Sequence, residues 1–84
     1  MYKIFLSREA DKSYERLPLV EKKKIDKVLA RISQDPYRLS KKLQGEFAGL
    51  YAIRAWPYRI TYTVEAFSKK IFIVAIAHRQ SIYK

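Results

Sequence analysis

Residues 50–78 read LYAIRAWPYRITYTVEAFSKKIFIVAIAH, and this stretch decides the fold. Three runs, Leu50 to Ala55, Tyr58 to Glu65 and Lys70 to His78, are rich in the β-branched and aromatic residues that suit a pleated surface. Trp56-Pro57 breaks the first from the second and Ala66-Phe67-Ser68-Lys69 the second from the third, so the stretch predicts an antiparallel meander. Alternation then assigns faces. In the first run Tyr51, Ile53 and Ala55 oppose Ala52 and Arg54; in the second Tyr58, Ile60, Tyr62 and Val64 oppose Arg59, Thr61 and Thr63. Arg54 and Arg59 are thereby expected on one face, away from any helices. The last run is apolar on both sides, Ile71, Ile73 and Ala75 against Phe72, Val74 and Ile76, as a central strand requires. His78 and Arg79 follow at its end, where the chain can turn them toward the open face.

Upstream of the meander the period changes. Tyr2, Ile4 and Leu6 alternate with Lys3 and Phe5 up to Ser7, which predicts a short strand running into a helix cap. Glu9 and Asp11 then sit where the helix dipole favours carboxylates, Ala10, Tyr14 and Leu17 form a stripe, and Pro18 ends the helix. From Leu19 to Gln34 the apolar face Ile25, Val28, Leu29 and Ile32 defines a second helix, which stops at Asp35-Pro36 because the residue before proline is driven out of the α region. Lys22, Lys23, Lys24, Lys27 and Arg31 cover the rest of it, and read first as its solvated side. Residues 37–48 mix Arg38, Lys41 and Lys42 with Leu39, Leu43 and Phe47 without a period, a basic loop. The order β-α-α-β-β-β predicts an α+β fold, with a helical hairpin packed on one face of a small antiparallel sheet.

The 84 residues suffice for one domain, 1–84, with one core. The chain has no cysteine, which excludes disulfides and thiolate metal sites and fits the cytoplasm. No run approaches the roughly 18 apolar residues that a membrane span needs, and the apolar start at Ile4-Phe5-Leu6 is too short for a secretion signal. Eighteen Lys and Arg against eight Asp and Glu give a formal charge of +10, which favours a polyanion, with nucleic acid as the first candidate.

Several chemistries lack their parts. There is no glycine-rich phosphate loop, no serine nucleophile motif and no carboxylate pair, and one histidine cannot build a His-based zinc cluster. The expectation is chemistry without metal or cofactor. Arginines on a sheet can hold a phosphodiester and neutralise the charge that develops on its oxygens. His78 is the one side chain of a type that titrates near neutrality, and so the candidate to both accept and donate a proton. Tyr83 can stack on a base or pass a proton, or simply pack. RNA suits this set, since its 2′-OH attacks the neighbouring phosphate once deprotonated.

Three motifs carry a resemblance. Lys41-Lys42-Leu43-Gln44-Gly45-Glu46-Phe47-Ala48-Gly49-Leu50-Tyr51-Ala52-Ile53-Arg54, then Tyr58-Arg59-Ile60-Thr61-Tyr62, then Ile76-Ala77-His78-Arg79-Gln80-Ser81-Ile82-Tyr83 together resemble the RelE branch of the RelE/ParE toxin superfamily. The resemblance implies a toxin of a type II toxin-antitoxin system, neutralised by a cognate acidic antitoxin and, when free, entering the ribosomal A site to cleave mRNA there. It implies that Arg54, Arg59 and Arg79 grip the scissile phosphate, that His78 transfers a proton, and that Tyr83 orients a base or the leaving oxygen. Lys41 and Lys42 would add RNA backbone contacts. Position 52 departs from the pattern: Ala52 stands where the best studied RelE toxins carry a proton-transferring lysine. The sequence also ends one residue after Tyr83, short of the terminal helix that some members carry. Two alternatives follow from the same resemblance, a ParE-like toxin that poisons DNA gyrase and a catalytically weak homologue that binds RNA or ribosomes.

Overall fold

A computed structural model of the chain describes residues 1–38, 40–42 and 49–78. Strand β1 (Lys3–Leu6) leads through Ser7 into helix α1 (Arg8–Glu15), and helix α2 (Leu19–Gln34) follows. Strands β2 (Lys41–Lys42), β3 (Tyr51–Ala55), β4 (Tyr58–Glu65) and β5 (Lys70–His78) complete the order. Ser7 caps α1 in the expected way: its backbone is extended and its Oγ accepts from the Ala10 N–H at 3.0 Å. At the other boundary, the Asp35 carboxylate accepts from the N–H groups of Tyr37 (3.1 Å) and Arg38 (3.3 Å), fixing the turn that leaves α2. No helix of the described residues is long and apolar enough to cross a membrane.

The five strands form one sheet in the order β1-β5-β4-β3-β2. β2 through β5 pair antiparallel, as the meander predicts, whereas β1 lies parallel to β5, with Lys3 opposite Lys70 and Leu6 opposite Ile73. A parallel pair cannot be joined by a tight turn; the two helices and the meander between β1 and β5 provide the long connection it requires. The basic stretch expected to be a loop contributes β2, an exposed two-lysine edge that pairs Lys41 with Ala52 and Lys42 with Tyr51. Lysine on an edge strand discourages further strand addition there.

Ala10, Ile25, Val28 and Ile32 from the helices bury against Ile53, Ala55, Ile60, Tyr62, Ile71, Ile73 and Ile76 of the sheet. Burying an isoleucine side chain stabilises by roughly 1.5–3 kcal/mol, so this single interface accounts for the main favourable term. Tyr62 is fully buried and keeps its hydroxyl satisfied: it donates to the Pro36 carbonyl at 2.6 Å and is hydrogen-bonded to Ser40. Tyr51 stacks on Tyr62 and Tyr37 meets Tyr51 edge-on, which pins the segment approaching β2 to the sheet.

One irregularity governs the far end of the sheet. Thr61 pairs with Ala75 while Tyr62 pairs with Ile73, so Val74 is an extra residue, a β-bulge. Ser7 holds it: the Ser7 N–H donates to Ile73 O at 2.9 Å and the Ser7 hydroxyl to Val74 O at 2.7 Å. Strict alternation through β5 would send Ala75 inward and Ile76 outward. The bulge reverses this, so Ile76 is buried with Ile71 and Ile73, and every later residue of the strand changes face.

Candidate functional site

On the face of the sheet away from the helices, β3 and β4 place Arg54 directly opposite Arg59. Arg54 is exposed and Arg59 half-buried, and among the described residues neither guanidinium is paired with a carboxylate. Side chains directly opposite on one face have Cβ atoms about 4.5–5.5 Å apart, so the pair concentrates two positive charges in one place. Like charges in that relation repel; an anion lying across both relieves the repulsion and takes up their donors in fork geometry. The paired neighbours are small: Ala77 pairs with Arg59, and Thr61 with Ala75 and with Ala52.

The sequence expectation for Arg54 and Arg59 therefore agrees with where the strands place them. Lys41 lies at the same edge, one strand outward, opposite Ala52; Lys42 is its exposed neighbour. Ala52 is buried at 8 % exposure yet lies outside the main core cluster, on the arginine side of β3. Arg79 and Tyr83 lie outside the described residues.

His78 requires a correction. It was expected to turn toward the open face, but it ends β5 paired with Tyr58, whose side chain packs against the core, and its ring meets the Tyr58 ring edge-on at 5.3 Å between centroids. The physical cause is the Val74 bulge. By moving the phase of β5 one residue, it puts Ala77 on the arginine face and His78 on the helix side of the sheet's end.

Trp56, to which the motifs assign no role, lies next to the arginine pair in the chain. It forms, with Pro57, the two-residue tip between β3 and β4, one step past the Ala55–Tyr58 pair and two past the Arg54–Arg59 pair. The indole is 59 % exposed, while the backbone carbonyl of Trp56 accepts from Lys24 Nζ at 3.0 Å, tying the tip to α2.

Residues 4–83 match the family described as the ParE toxin of the type II toxin-antitoxin system, parDE. The Toxin RelE of Mycobacterium tuberculosis is 26% identical over 84 residues, covering 99% of this chain and 87% of that protein. Among solved structures, the toxin-antitoxin complex RelBE2 from the same organism shares the fold with a TM-score of 0.85 at 24% identity, covering 93% of this chain and 98% of that one. The isolated Escherichia coli RelE toxin gives a TM-score of 0.81 at 21% identity, covering 93% and 84% respectively.

Proposed function

The chain belongs to the ParE toxin family of type II toxin-antitoxin systems, within the RelE/ParE superfamily, and we propose that it acts as a ribosome-dependent endoribonuclease that cleaves mRNA in the A site. The observation that supports this reading is the Arg54–Arg59 pair, unneutralised by described carboxylates, on the sheet face away from the helices of a +10 chain.

In the proposed reaction the 2′-oxygen of one nucleotide attacks the adjacent phosphorus. The O2′–P bond forms and the P–O5′ bond breaks, leaving a 2′,3′-cyclic phosphate and a 5′-hydroxyl; one proton leaves the 2′-OH and one reaches O5′. Arg54 and Arg59 bind the phosphate, align it and neutralise the charge that grows on its oxygens, work that needs no proton from them. Arg79 is assigned as a third cation and Tyr83 as the group orienting the base or leaving oxygen, both from their motif positions. His78 is assigned the proton transfers. From its place against Tyr58 this requires the imidazole to turn around the end of β5, a reorientation of the strand's last residue. Lys41 and Lys42 add backbone contacts along the edge. The partner that silences the toxin is an acidic antitoxin segment covering the basic face, by charge complementarity; the RelBE2 structure is itself a toxin-antitoxin complex.

The test is growth arrest on expression together with the fate of message. Wild type should arrest growth with cut mRNA, and folded His78→Ala or Arg79→Ala proteins should do neither; arrest by the folded variants removes those residues from the mechanism. A second reading is favoured by the matched family description, which names ParE: the same scaffold poisoning DNA gyrase. Inhibition of supercoiling with message left intact selects it. Binding to ribosomes or RNA without either effect selects a catalytically weak homologue, the outcome that Ala52 would explain.

A further inference from the structure

We propose that the outer edge of β1 is a self-pairing surface, and that two copies of this chain join there antiparallel about a two-fold axis at Phe5, making one continuous sheet. The inference is independent of the chemistry proposed for the arginine face.

The backbone supplies the first argument. The Lys3 N–H donates to Lys69 O at 3.0 Å and the Ser7 N–H to Ile73 O at 2.9 Å. Residues bonded to one neighbour alternate along a strand, so Phe5 also faces β5, while Ile4 and Leu6 turn their N–H and C=O groups outward. Tyr2 points outward too, but its N–H is taken by Ser33 O at 2.7 Å. β1 ends the sheet, and among the described residues nothing pairs with Ile4 or Leu6 on that side. Such an edge is a template for another strand. The opposite edge, β2, is blunted by its two lysines.

The side chains then fix the register. With Phe5 opposite Phe5 of the second copy, Ile4 falls opposite Leu6 and exchanges both backbone bonds with it, as outward-facing residues require. These two meet on the helix side, where both already pack against the core. On the other face Phe5 and Phe72 stack at 5.5 Å between centroids, yet remain 43% and 38% exposed. The two-fold axis continues that stack into a row Phe72-Phe5-Phe5-Phe72, covering rings that a single copy leaves in water. A slip of one residue would set Phe5 opposite Ile4 or Leu6, on opposite faces, and lose both contacts.

Charge suits a second copy here, although the chain as a whole carries +10. Lys3 falls opposite Ser7 of the second copy, beside Glu9 and Asp11 in the first turn of its α1, and not opposite the other Lys3. Lys70, next to Lys3, is itself opposite Glu65. Lys3, Arg8, Glu9 and Asp11 sum to zero, so the joint is locally neutral within a cationic surface, and an acidic strand would find no net charge to complement. Arg59 lies on β4, beyond β5, so pairing leaves the arginine face open. One short strand from each copy buries less than the roughly 1,000 Å² of a permanent interface, so the dimer is reversible.

The chain has no cysteine, so a single introduced thiol can cross-link only to a second copy. Facing residues of a non-hydrogen-bonded antiparallel pair have Cα atoms about 4.5 Å apart, within disulfide reach. Phe5→Cys should therefore oxidise to a covalent dimer at least about 10-fold faster than Lys3→Cys or Phe72→Cys, whose Cα atoms the two-fold axis leaves roughly 13 Å or more apart. In sedimentation of the purified chain a dimer should accumulate with concentration and strengthen with salt, which screens the repulsion of two +10 chains and weakens nucleic-acid binding. Phe5→Asp sets two carboxylates across the axis and should weaken the dimer about 10-fold or more. Arg54→Gln/Arg59→Gln should dimerise at least as well as wild type. Where the dimer is too weak to sediment, the cross-linking rates decide.

Equal oxidation of the three thiol variants overturns the proposal, as does a dimer that Phe5→Asp leaves unchanged. A dimer that dissolves in salt also overturns it and points to nucleic acid bridging two basic faces. If wild type cuts no message the nuclease reading fails, and these readouts still decide for or against the β1 joint.

Discussion

Replacing Arg54 with glutamine should raise the thermal stability of the ligand-free protein. Glutamine keeps much of the side-chain stem and removes the charge that faces Arg59 across β3 and β4. Two unit charges about 6 Å apart in water repel by about 0.7 kcal/mol, and like pairs directly opposite in a sheet destabilise by roughly 0.2–1 kcal/mol. For a domain of this size that range corresponds to a rise in Tm of roughly 1 to 8 °C. Arg59→Gln should do the same. The double variant should gain little beyond either single change, because the same repulsion can be removed only once. Salt supplies the control: the Debye length falls from about 10 Å at 0.1 M to about 3 Å at 1 M, so the gain should be largest in dilute buffer and vanish at high salt. Conversely, a bound anion should raise the Tm of wild type more than that of the variants. The assay is thermal unfolding of the four proteins across a salt series. A lowered Tm in both single variants, or a gain independent of salt, would refute the reasoning that the strands hold two mutually repelling guanidinium groups in readiness for an anion.

Other consequences can be measured on the same protein. Tyr62→Phe removes the hydroxyl shared by Pro36 and Ser40 and should cost about 1–3 kcal/mol in denaturant unfolding, with faster amide exchange around residues 36–42. Burial pushes the Tyr62 phenol above its ordinary value, against the lowering effect of the Ser40 bond. Its contribution is then complete below about pH 10 and is lost as pH rises through the elevated folded value; Tyr62→Phe should lose less stability on that alkaline limb. Ser7→Ala deletes both the α1 cap and the bond to the Val74 bulge, and should cost about 1–2 kcal/mol. Retained stability in that variant would remove Ser7 as the anchor of the bulge.

Much of this architecture is legible in the residues because the signals are local. Ser7, Pro18 and Asp35-Pro36 punctuate the helices, and Leu19–Gln34, Tyr58–Glu65 and Lys70–His78 have the same bounds in the structure as in the sequence reading. Arg54 and Arg59 were legible because each interrupts an apolar alternation that fixes its face. The run Ile71-Phe72-Ile73-Val74-Ala75-Ile76-Ala77 gives no such phase, being apolar on both sides. The bulge at Val74 was therefore invisible, and with it the face that His78 takes. It depends on Ser7, a residue distant in sequence. Likewise Lys41 and Lys42 have no strand pattern of their own; they form β2 only because the edge of β3 is there to pair with.

Primer-extension mapping of message on translating ribosomes, with the chemistry of the new 3′ ends determined, tests the central claim most directly when wild type is run beside Arg54→Gln/Arg59→Gln. Wild type should cut within the A-site codon and leave a cyclic phosphate, while the double variant, folded and at least as stable, should cut roughly 100-fold more slowly or worse. Intact message with active wild type, or cutting by the double variant at the wild-type rate, would contradict the assignment of the arginine face to phosphate.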